Sequence, residues 1–280
     1  MSRRVITADI CGQFRSFLVT EERAPATVEK YMRAVAAFAA QLPHGMVTKE
    51  SVIAYKRCLQ GQCAARSVNS TLAGLNRLFS FLGWQELRIK ALRLQKRVYC
   101  PEEKELTRAE YLRLCSAAAH RRDRRLCLVL QTICSTGIRV SELQHITVEA
   151  AKRGEAVVTC KAKTRSVFIV SELKQKLLRY AAEQGIESGM LFVTRTGRPV
   201  NRTNIWRAMK SLCAEAQVPP EKVFPHNLRH LFARTFYQLE KDIAKLADLL
   251  GHSSIQTTRL YIISTGTEHR RRMEHMHLLL

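Results

Sequence analysis

Apolar residues in the first hundred positions recur at steps of three and four, which is the spacing of one face of an α-helix. One such run extends from Val28 to Phe38 and another from Val68 to Phe79. Glycine and proline interrupt the pattern at intervals that suit helices of ordinary length. The interruptions are Ala24-Pro25, Pro43-His44-Gly45, Gly61 and Gly83. We therefore predict a bundle of four helices as a first domain over residues 1–95.

The helical pattern fails between Arg88 and Glu105, where basic residues precede Pro101. We interpret residues 96–105 as a charged linker and residues 106–280 as a second domain. This second domain is predicted to open with two helices, over 107–119 and 123–135.

β-Branched residues predict a different structure in the middle of the second domain. Short runs at 146–148, 156–160 and 167–170 are bounded by turn residues, which is typical of a small antiparallel sheet. Helical periodicity then resumes, and the last clear helix ends at Gly251. The predicted helix starts are Glu172, Thr203, His226 and Asp242. The predicted fold class is mainly α with a small antiparallel β-sheet.

Basic residues outnumber acidic residues by a wide margin. The 280 residues contain 46 Lys and Arg against 24 Asp and Glu, a formal net charge of +22. Residues 1–100 carry +10 of this charge and the rest carry +12. Because such an excess costs self-repulsion in a folded protein, a polyanionic partner is expected. Two basic halves favour nucleic acid held by both domains over an anionic membrane surface.

Neither a membrane span nor an export signal is apparent. The longest strongly apolar stretch, Leu126 to Leu130, is far shorter than the roughly 20 residues that cross a bilayer. The first residues contain no hydrophobic signal region. We therefore expect a cytoplasmic protein whose nine cysteines are free thiols, without a disulfide framework or a metal site.

Several polar side chains of the second domain have ordinary explanations one at a time. Arg139 and Glu142 could form a surface ion pair, and His226 and Arg229 share a helix face through their spacing alone. Taken together, the candidates supply two guanidinium groups, a lysine, two histidines and a tyrosine. They are Arg139, Arg229, Lys161, His226, His252 and Tyr261.

Phosphoryl transfer requires this set of groups. Planar arginine side chains bind the equatorial oxygens of a phosphorane without losing their proton. A tyrosine hydroxyl is a weak nucleophile near neutral pH, and nearby cations favour its reactive phenolate form. The sequence contains no Asp-x-Asp or similar carboxylate cluster for two magnesium ions. The residues therefore favour a metal-independent transfer.

The segments around these residues resemble those of the tyrosine recombinases, also called phage-type integrases. Tyr261 follows His252 by nine residues, which is the interval of the family pattern. The second-domain segments are Ser135-Thr-Gly-Ile-Arg139-Val-Ser-Glu142-Leu, Pro225-His226-Asn-Leu-Arg229-His230, and Leu250-Gly251-His252-Ser253-Ser254 leading to Tyr261. In the first domain, Ala26-Thr27-Val28 with Tyr31 and Arg66-Ser67-Val68-Asn69 with Leu72 are similar to the core-binding domain of these enzymes.

This resemblance implies a SAM-like helical core-binding domain, a mixed α/β catalytic domain and a C-terminal tail at 264–280. It implies that Tyr261 attacks the scissile phosphate to give a 3′-phosphotyrosyl link. Arg139 and Arg229 would hold the non-bridging oxygens. His226 would assist proton transfer, and His252 would hydrogen-bond the phosphate.

Two further roles follow from the same resemblance. Glu142 would orient its neighbours, chiefly Arg139. A lysine would protonate the leaving 5′-oxygen, and alignment of the turn favours Lys161 over Lys163, although the family's glycine-flanked lysine is replaced here by Cys160-Lys161-Ala162. His230 is ambiguous: helix packing next to Arg229 is its ordinary explanation, and it is left out of the catalytic set.

The implied activity is site-specific recombination, as in integration, excision or resolution of a mobile element or replicon. The length suits the two-domain, Xer-like or transposon-borne type. No cofactor is expected, and the partners are double-stranded DNA and three more copies of the chain in a homotetramer on paired core sites. The tail is either exchanged between protomers or folded back on its own domain. The alternatives are a catalytically inactive DNA-binding relative and a type IB topoisomerase. The candidate DNA contacts of the first domain are Arg66, Asn69 and Arg77.

Overall fold

The computed structural model describes residues 4–42, 46–94, 104–160, 163–262 and 274–275. The chain divides into two compact units, Met1–Lys96 and Arg97–Leu280. Most of the described residues are helical, as predicted, and the predicted linker at 96–105 lies largely outside the described residues. No helix in the described ranges combines the length and the apolar character needed to cross a membrane.

Four α-helices form the described part of the first unit, and their apolar faces meet in one core. Thr7 and Thr48 cap two of these helices with their hydroxyl groups, each of which accepts a hydrogen bond from a backbone N–H of the first turn. The core includes Phe14, Phe38 and Phe79, which are fully buried. The helices are α1 (Ala8–Thr20), α2 (Pro25–Ala39), α3 (Lys49–Gln62) and α4 (Ala65–Phe81).

The main hydrophobic core of the second unit is formed by buried residues of its helices and of a two-stranded antiparallel sheet. The strands are β1 (Glu155–Cys160) and β2 (Lys163–Phe168), paired from Glu155↔Phe168 to Cys160↔Lys163. A 3-10 helix spans Val140–His145. The α-helices are α5 (Arg108–His120), α6 (Arg124–Thr136), α7 (Val148–Arg153), α8 (Ser171–Glu183), α9 (Arg202–Ser211), α10 (Cys213–Ala216), α11 (Pro225–Glu240), α12 (Ile243–Leu250) and α13 (Ile255–Arg259).

The predicted strand at 146–148 is wrong. Thr147 forms only an isolated bridge with Met190, and its side chain accepts a hydrogen bond from the Ala150 N–H. This hydroxyl caps α7, which begins at Val148, so the β-branched residues here serve a helix start. The predicted strand at 156–160 corresponds to β1, whereas β2 spans Lys163–Phe168 and shares only two residues with the predicted strand at 167–170. The predicted helix starts agree with the structure within one residue.

Candidate active site

Gly137 and Gly251 end two helices of the second unit, α6 and α12. Their φ angles are +65° and +62°, a conformation that glycine adopts without strain. A Cβ at Gly137 would lie 2.4 Å from Phe232 Cδ1, and a Cβ at Gly251 would lie 2.4 Å from Arg165 Cδ. Both turns therefore require glycine, and candidate residues follow directly after each of them.

The first turns of α11 present His226 and Arg229 on one face, three residues apart. The Arg229 side chain is buried, with 1% of its surface exposed, and it donates hydrogen bonds to the carbonyls of Gly137 and Leu250. Burial, and next the charge of Arg139, lower the pKa of Arg229 to about 10. Arg229 is therefore still a cation at neutral pH.

Successive carbonyl groups at the C-terminus of α12 accept hydrogen bonds from arginines of three different elements. We call these carbonyls the α12 carbonyl end, formed by residues 249–251. The pairs and their donor–acceptor distances are Arg165 with Leu249 (3.0 Å), Arg229 with Leu250 (2.6 Å) and Arg139 with Gly251 (3.4 Å). One helix end thus fixes all three guanidinium groups.

Glu142 connects two of these arginines. Its carboxylate accepts hydrogen bonds from the Arg139 backbone N–H at 2.9 Å, from Arg139 Nη1 at 2.8 Å and from Arg165 Nη2 at 2.6 Å. Burial by itself raises the pKa of Glu142, but these hydrogen bonds and the two positive charges outweigh it, so the pKa lies below its usual range. Glu142 is therefore ionised at neutral pH and orients both arginines.

Replacing Glu142 by Gln removes the charge and retains the shape. Because two guanidinium groups then lose their ion-pair partner, we expect the free energy of unfolding at pH 7 to fall by about 3 kcal/mol. The folded-state pKa of Glu142 is lowered, so the wild-type advantage is complete above about pH 4.3, the usual glutamate value, and declines as the pH falls through the folded-state pKa.

Urea denaturation at several pH values measures this advantage. Glu187→Gln is the control, because Glu187 is exposed and should leave the stability unchanged. Equal stability of Glu142→Gln and the wild type at pH 7 would contradict the assigned role of Glu142.

The protonation state of His252 follows from its two partners. Arg229 Nη2 lies 3.0 Å from His252 Nε2, and arginine can only donate, so Nε2 is the acceptor. The proton is therefore on Nδ1, which donates to Thr258 Oγ1 at 2.9 Å. Burial and the charges of the neighbouring arginines, Arg229 first, lower the pKa of His252 to about 4, which agrees with a neutral ring.

Tyr261 lies two residues beyond α13, among three imidazole rings. Its hydroxyl is 3.0 Å from His226 Nε2, and its ring centroid is 5.2 Å from that of His226, 4.8 Å from that of His252 and 4.2 Å from that of His230. The pKa of His226 is lowered, chiefly by desolvation and next by the charge of Arg229. With its proton on Nδ1, a neutral His226 accepts this hydrogen bond from the Tyr261 hydroxyl at Nε2; the other tautomer would donate it.

The structure brings most of the predicted residues together. Lys161 lies outside the described residues, as does the side chain of Lys163. Within the described ranges, no group of three or more His, Cys, Asp or Glu side chains is arranged to hold a metal ion. The predicted residues that hydrogen bonds and ring contacts link in one cluster are Arg139, Glu142, His226, Arg229, His252 and Tyr261.

Arg165, Thr258 and His230 also belong to the cluster, although no catalytic or positioning role is predicted for them. Arg165 lies 23 residues from Glu142 in the chain, so no local spacing connects the two. Thr258 lies between His252 and Tyr261, and its place within that interval is the one signal that could have identified it. His230, predicted to serve helix packing, stacks on Tyr261 instead.

The three predicted DNA contacts of the first unit differ in their surroundings. The Asn69 amide exchanges two hydrogen bonds with the Leu92 backbone, at 2.9 and 2.7 Å. Arg77 forms an ion pair with Glu21 and lies over the ring of Phe17. Arg66 is exposed in the first turn of α4. Asn69 and Arg77 thus stabilise the unit itself, whereas Arg66 faces solvent.

Comparison with known proteins gives matches over the whole chain. The sequence profile of the phage integrase family matches residues 104–268. Tyrosine recombinase XerA of Pyrococcus furiosus is 25% identical and aligns with 100% of this chain and 98% of its own length. Tyrosine recombinase XerA of Thermococcus kodakarensis is 28% identical over 95% of this chain and 94% of its own length.

Solved structures with low sequence identity share the fold. The Tn1549 transposon integrase in complex with transposon right end DNA has a TM-score of 0.72 and 14% identity, over 96% of this chain and 99% of that one. A lambda integrase tetramer bound to a Holliday junction has a TM-score of 0.74 and 18% identity, over 92% of this chain and 78% of that one.

Proposed function

Because this chain belongs to the phage integrase family, we propose that it is a site-specific DNA recombinase that cleaves and rejoins DNA through Tyr261. The observation that carries this proposal is the 3.0 Å hydrogen bond between the Tyr261 hydroxyl and His226 Nε2, beside the buried Arg229. A nucleophile, a proton acceptor and a cation for the phosphate are the three groups that the first chemical step needs.

In that step, the Tyr261 oxygen forms a bond to the scissile phosphorus and the bond from phosphorus to the 5′-oxygen breaks. The phenol proton passes across the hydrogen bond to Nε2 of a neutral His226 that carries its own proton on Nδ1. The 3′-phosphotyrosyl link preserves the phosphodiester, so a 5′-hydroxyl of another strand can reverse the step without ATP or a cofactor. Rejoining returns the proton from His226 to Tyr261.

Arg139 and Arg229 stabilise the pentacoordinate phosphate by binding its non-bridging oxygens. Both are held by the α12 carbonyl end, and Arg139 is held by Glu142 as well. His252 contacts the phosphate through Nε2 only when that nitrogen carries a proton, whereas here Nε2 accepts from Arg229. Substrate binding therefore includes a change of tautomer or of partner at His252.

We propose Lys161 as the acid that protonates the leaving 5′-oxygen. We expect Lys161→Ala to slow cleavage by about 10²- to 10⁴-fold, the usual contribution of a general acid, and Lys163→Ala to leave the rate unchanged. A DNA substrate can be made with sulfur in place of the leaving 5′-oxygen. Because a thiolate is a good leaving group that needs no proton, Lys161→Ala should cleave this substrate efficiently. The opposite ranking of the two variants would assign the role to Lys163.

The proposed partner is double-stranded DNA, with Arg66 of the first domain as a contact to it, and the proposed place of action is the cytoplasm. The Tn1549 integrase structure contains transposon end DNA, and the lambda integrase structure is a tetramer on a Holliday junction. By analogy, we propose a homotetramer of this chain on paired sites, with exchange of the tail between protomers. The tail at 264–280 lies largely outside the described residues.

Covalent capture tests the proposed function and identifies the target site in the same experiment. The protein is incubated with nicked duplexes of random sequence, denatured in detergent, and retained with any DNA that it has bound covalently. Sequencing yields the target site, and mass spectrometry of the digested adduct should find the nucleotide on Tyr261. Capture without sequence preference would indicate a topoisomerase, and no capture would indicate an inactive DNA-binding protein.

A further inference from the structure

The ring of His230 packs against the ring of Tyr261. The two rings are stacked, with centroids 4.2 Å apart and planes at 15°. The His230 imidazole thus supports one face of the Tyr261 ring.

The position of His230 in α11 explains why it can do this. His226 and His230 are four residues apart, so they lie one above the other on the same helix face. Their ring centroids are 5.0 Å apart, with planes at 80°. His226 therefore meets the Tyr261 hydroxyl, while His230 lies flat against the Tyr261 ring.

Tyr261 needs such a support because its own segment offers little. It follows α13, a helix of only five residues. A phenol that turns about its side-chain bonds moves its oxygen away from His226 and from the phosphorus. Reaction rates depend steeply on such placement, and a misplacement of 1 Å can cost about 10²-fold.

We propose that His230 is a positioning residue, which fixes the plane of the Tyr261 ring so that the hydroxyl meets His226. His230 takes no part in proton transfer. This inference rests on the proposed function, because it assumes that Tyr261 is the nucleophile.

The test uses a nicked duplex that carries the target site identified by covalent capture. It compares the single-turnover cleavage of this duplex by three variants and the wild type. We expect His230→Ala to cleave about 10²-fold more slowly than the wild type, with unchanged DNA affinity in a gel-shift assay. His230→Phe retains a flat ring for stacking and should recover at least about tenfold of that loss. His120→Ala, at an exposed histidine at the end of α5, is the control and should match the wild type.

The pH dependence separates positioning from acid-base catalysis. A positioning role predicts the same pH–rate profile for His230→Phe and the wild type, shifted only in height. The inference is overturned if His230→Ala cleaves within twofold of the wild-type rate, or if His230→Phe cleaves no faster than His230→Ala. It is also overturned if the pH–rate profile of His230→Phe lacks one limb of the wild-type profile. If His230→Ala melts at a lower temperature than the wild type, the test rests on the His230→Phe variant. Its cleavage rate and its pH–rate profile then decide whether His230 positions Tyr261. Absence of a wild-type adduct on Tyr261 would instead refute the proposed function.

Discussion

Replacing Tyr261 by Phe is expected to abolish the covalent DNA adduct while leaving DNA binding intact. The variant loses only the hydroxyl, which is the atom proposed to bond to phosphorus, and removal of an enzyme nucleophile costs more than about 10⁴-fold in rate. The Phe ring can keep the stacking on His230 and the packing against Ala233, Leu246 and Leu250. The loss of one hydrogen bond to His226 should lower the stability by only about 1 kcal/mol.

The matched control is Tyr237→Phe, because Tyr237 packs against the same apolar cluster from α11. Detergent gels of reactions with the captured duplex measure the adduct, and gel shifts without detergent measure binding. Only Tyr261→Phe should lose the adduct. An adduct that persists in Tyr261→Phe would mean that another residue is the nucleophile.

Replacing Arg229 by Met is expected to impair both cleavage and folding. The variant keeps an apolar side chain of similar length but removes the cation proposed to bind the phosphate, and loss of one such donor costs about 10²- to 10³-fold. The carbonyls of Gly137 and Leu250 also lose a buried donor, which lowers the stability by about 2 to 4 kcal/mol. Arg229→Lys keeps a charge, yet a single ammonium group cannot reproduce the planar fork that serves both carbonyls.

Urea denaturation and single-turnover cleavage at saturating protein separate these two effects. Arg229→Lys should fall between the wild type and Arg229→Met in stability and should still lose most of the cleavage rate. Arg179→Met, at an exposed arginine of α8, controls for the removal of a surface charge. A stable Arg229→Met variant would contradict its role in holding the two helix ends, and normal cleavage would contradict its role at the phosphate.

Local features of the fold are predictable because they depend on nearby residues. Gly137 and Gly251 end helices where the sequence predicts ends, and helical spacing places His226 and Arg229 on one face. The strand predicted at 146–148 fails because a β-branched Thr147 suits a helix cap as well as a strand.

Contacts between segments that are distant in the chain could not be predicted from sequence patterns. Arg165 reaches Glu142 across 23 residues and Leu249 across 84, through the packing of β2 against α12. The stacking of His230 on Tyr261 depends likewise on how a short helix returns to α11. No periodicity specifies these contacts, because the folded arrangement of the whole unit determines them.

The α12 carbonyl end has an electrostatic consequence for the site as a whole. Arg139, Arg165 and Arg229 bring three positive charges together, while Glu142 contributes one negative charge. The carbonyls that hold the three arginines carry no formal charge, although the negative end of the helix dipole attracts cations. The carbonyls thus fix the guanidinium groups without neutralising them, and a net positive charge remains after the charge of Glu142 is counted. The positive potential remains available to the phosphate, whose negative charge completes the site as it enters.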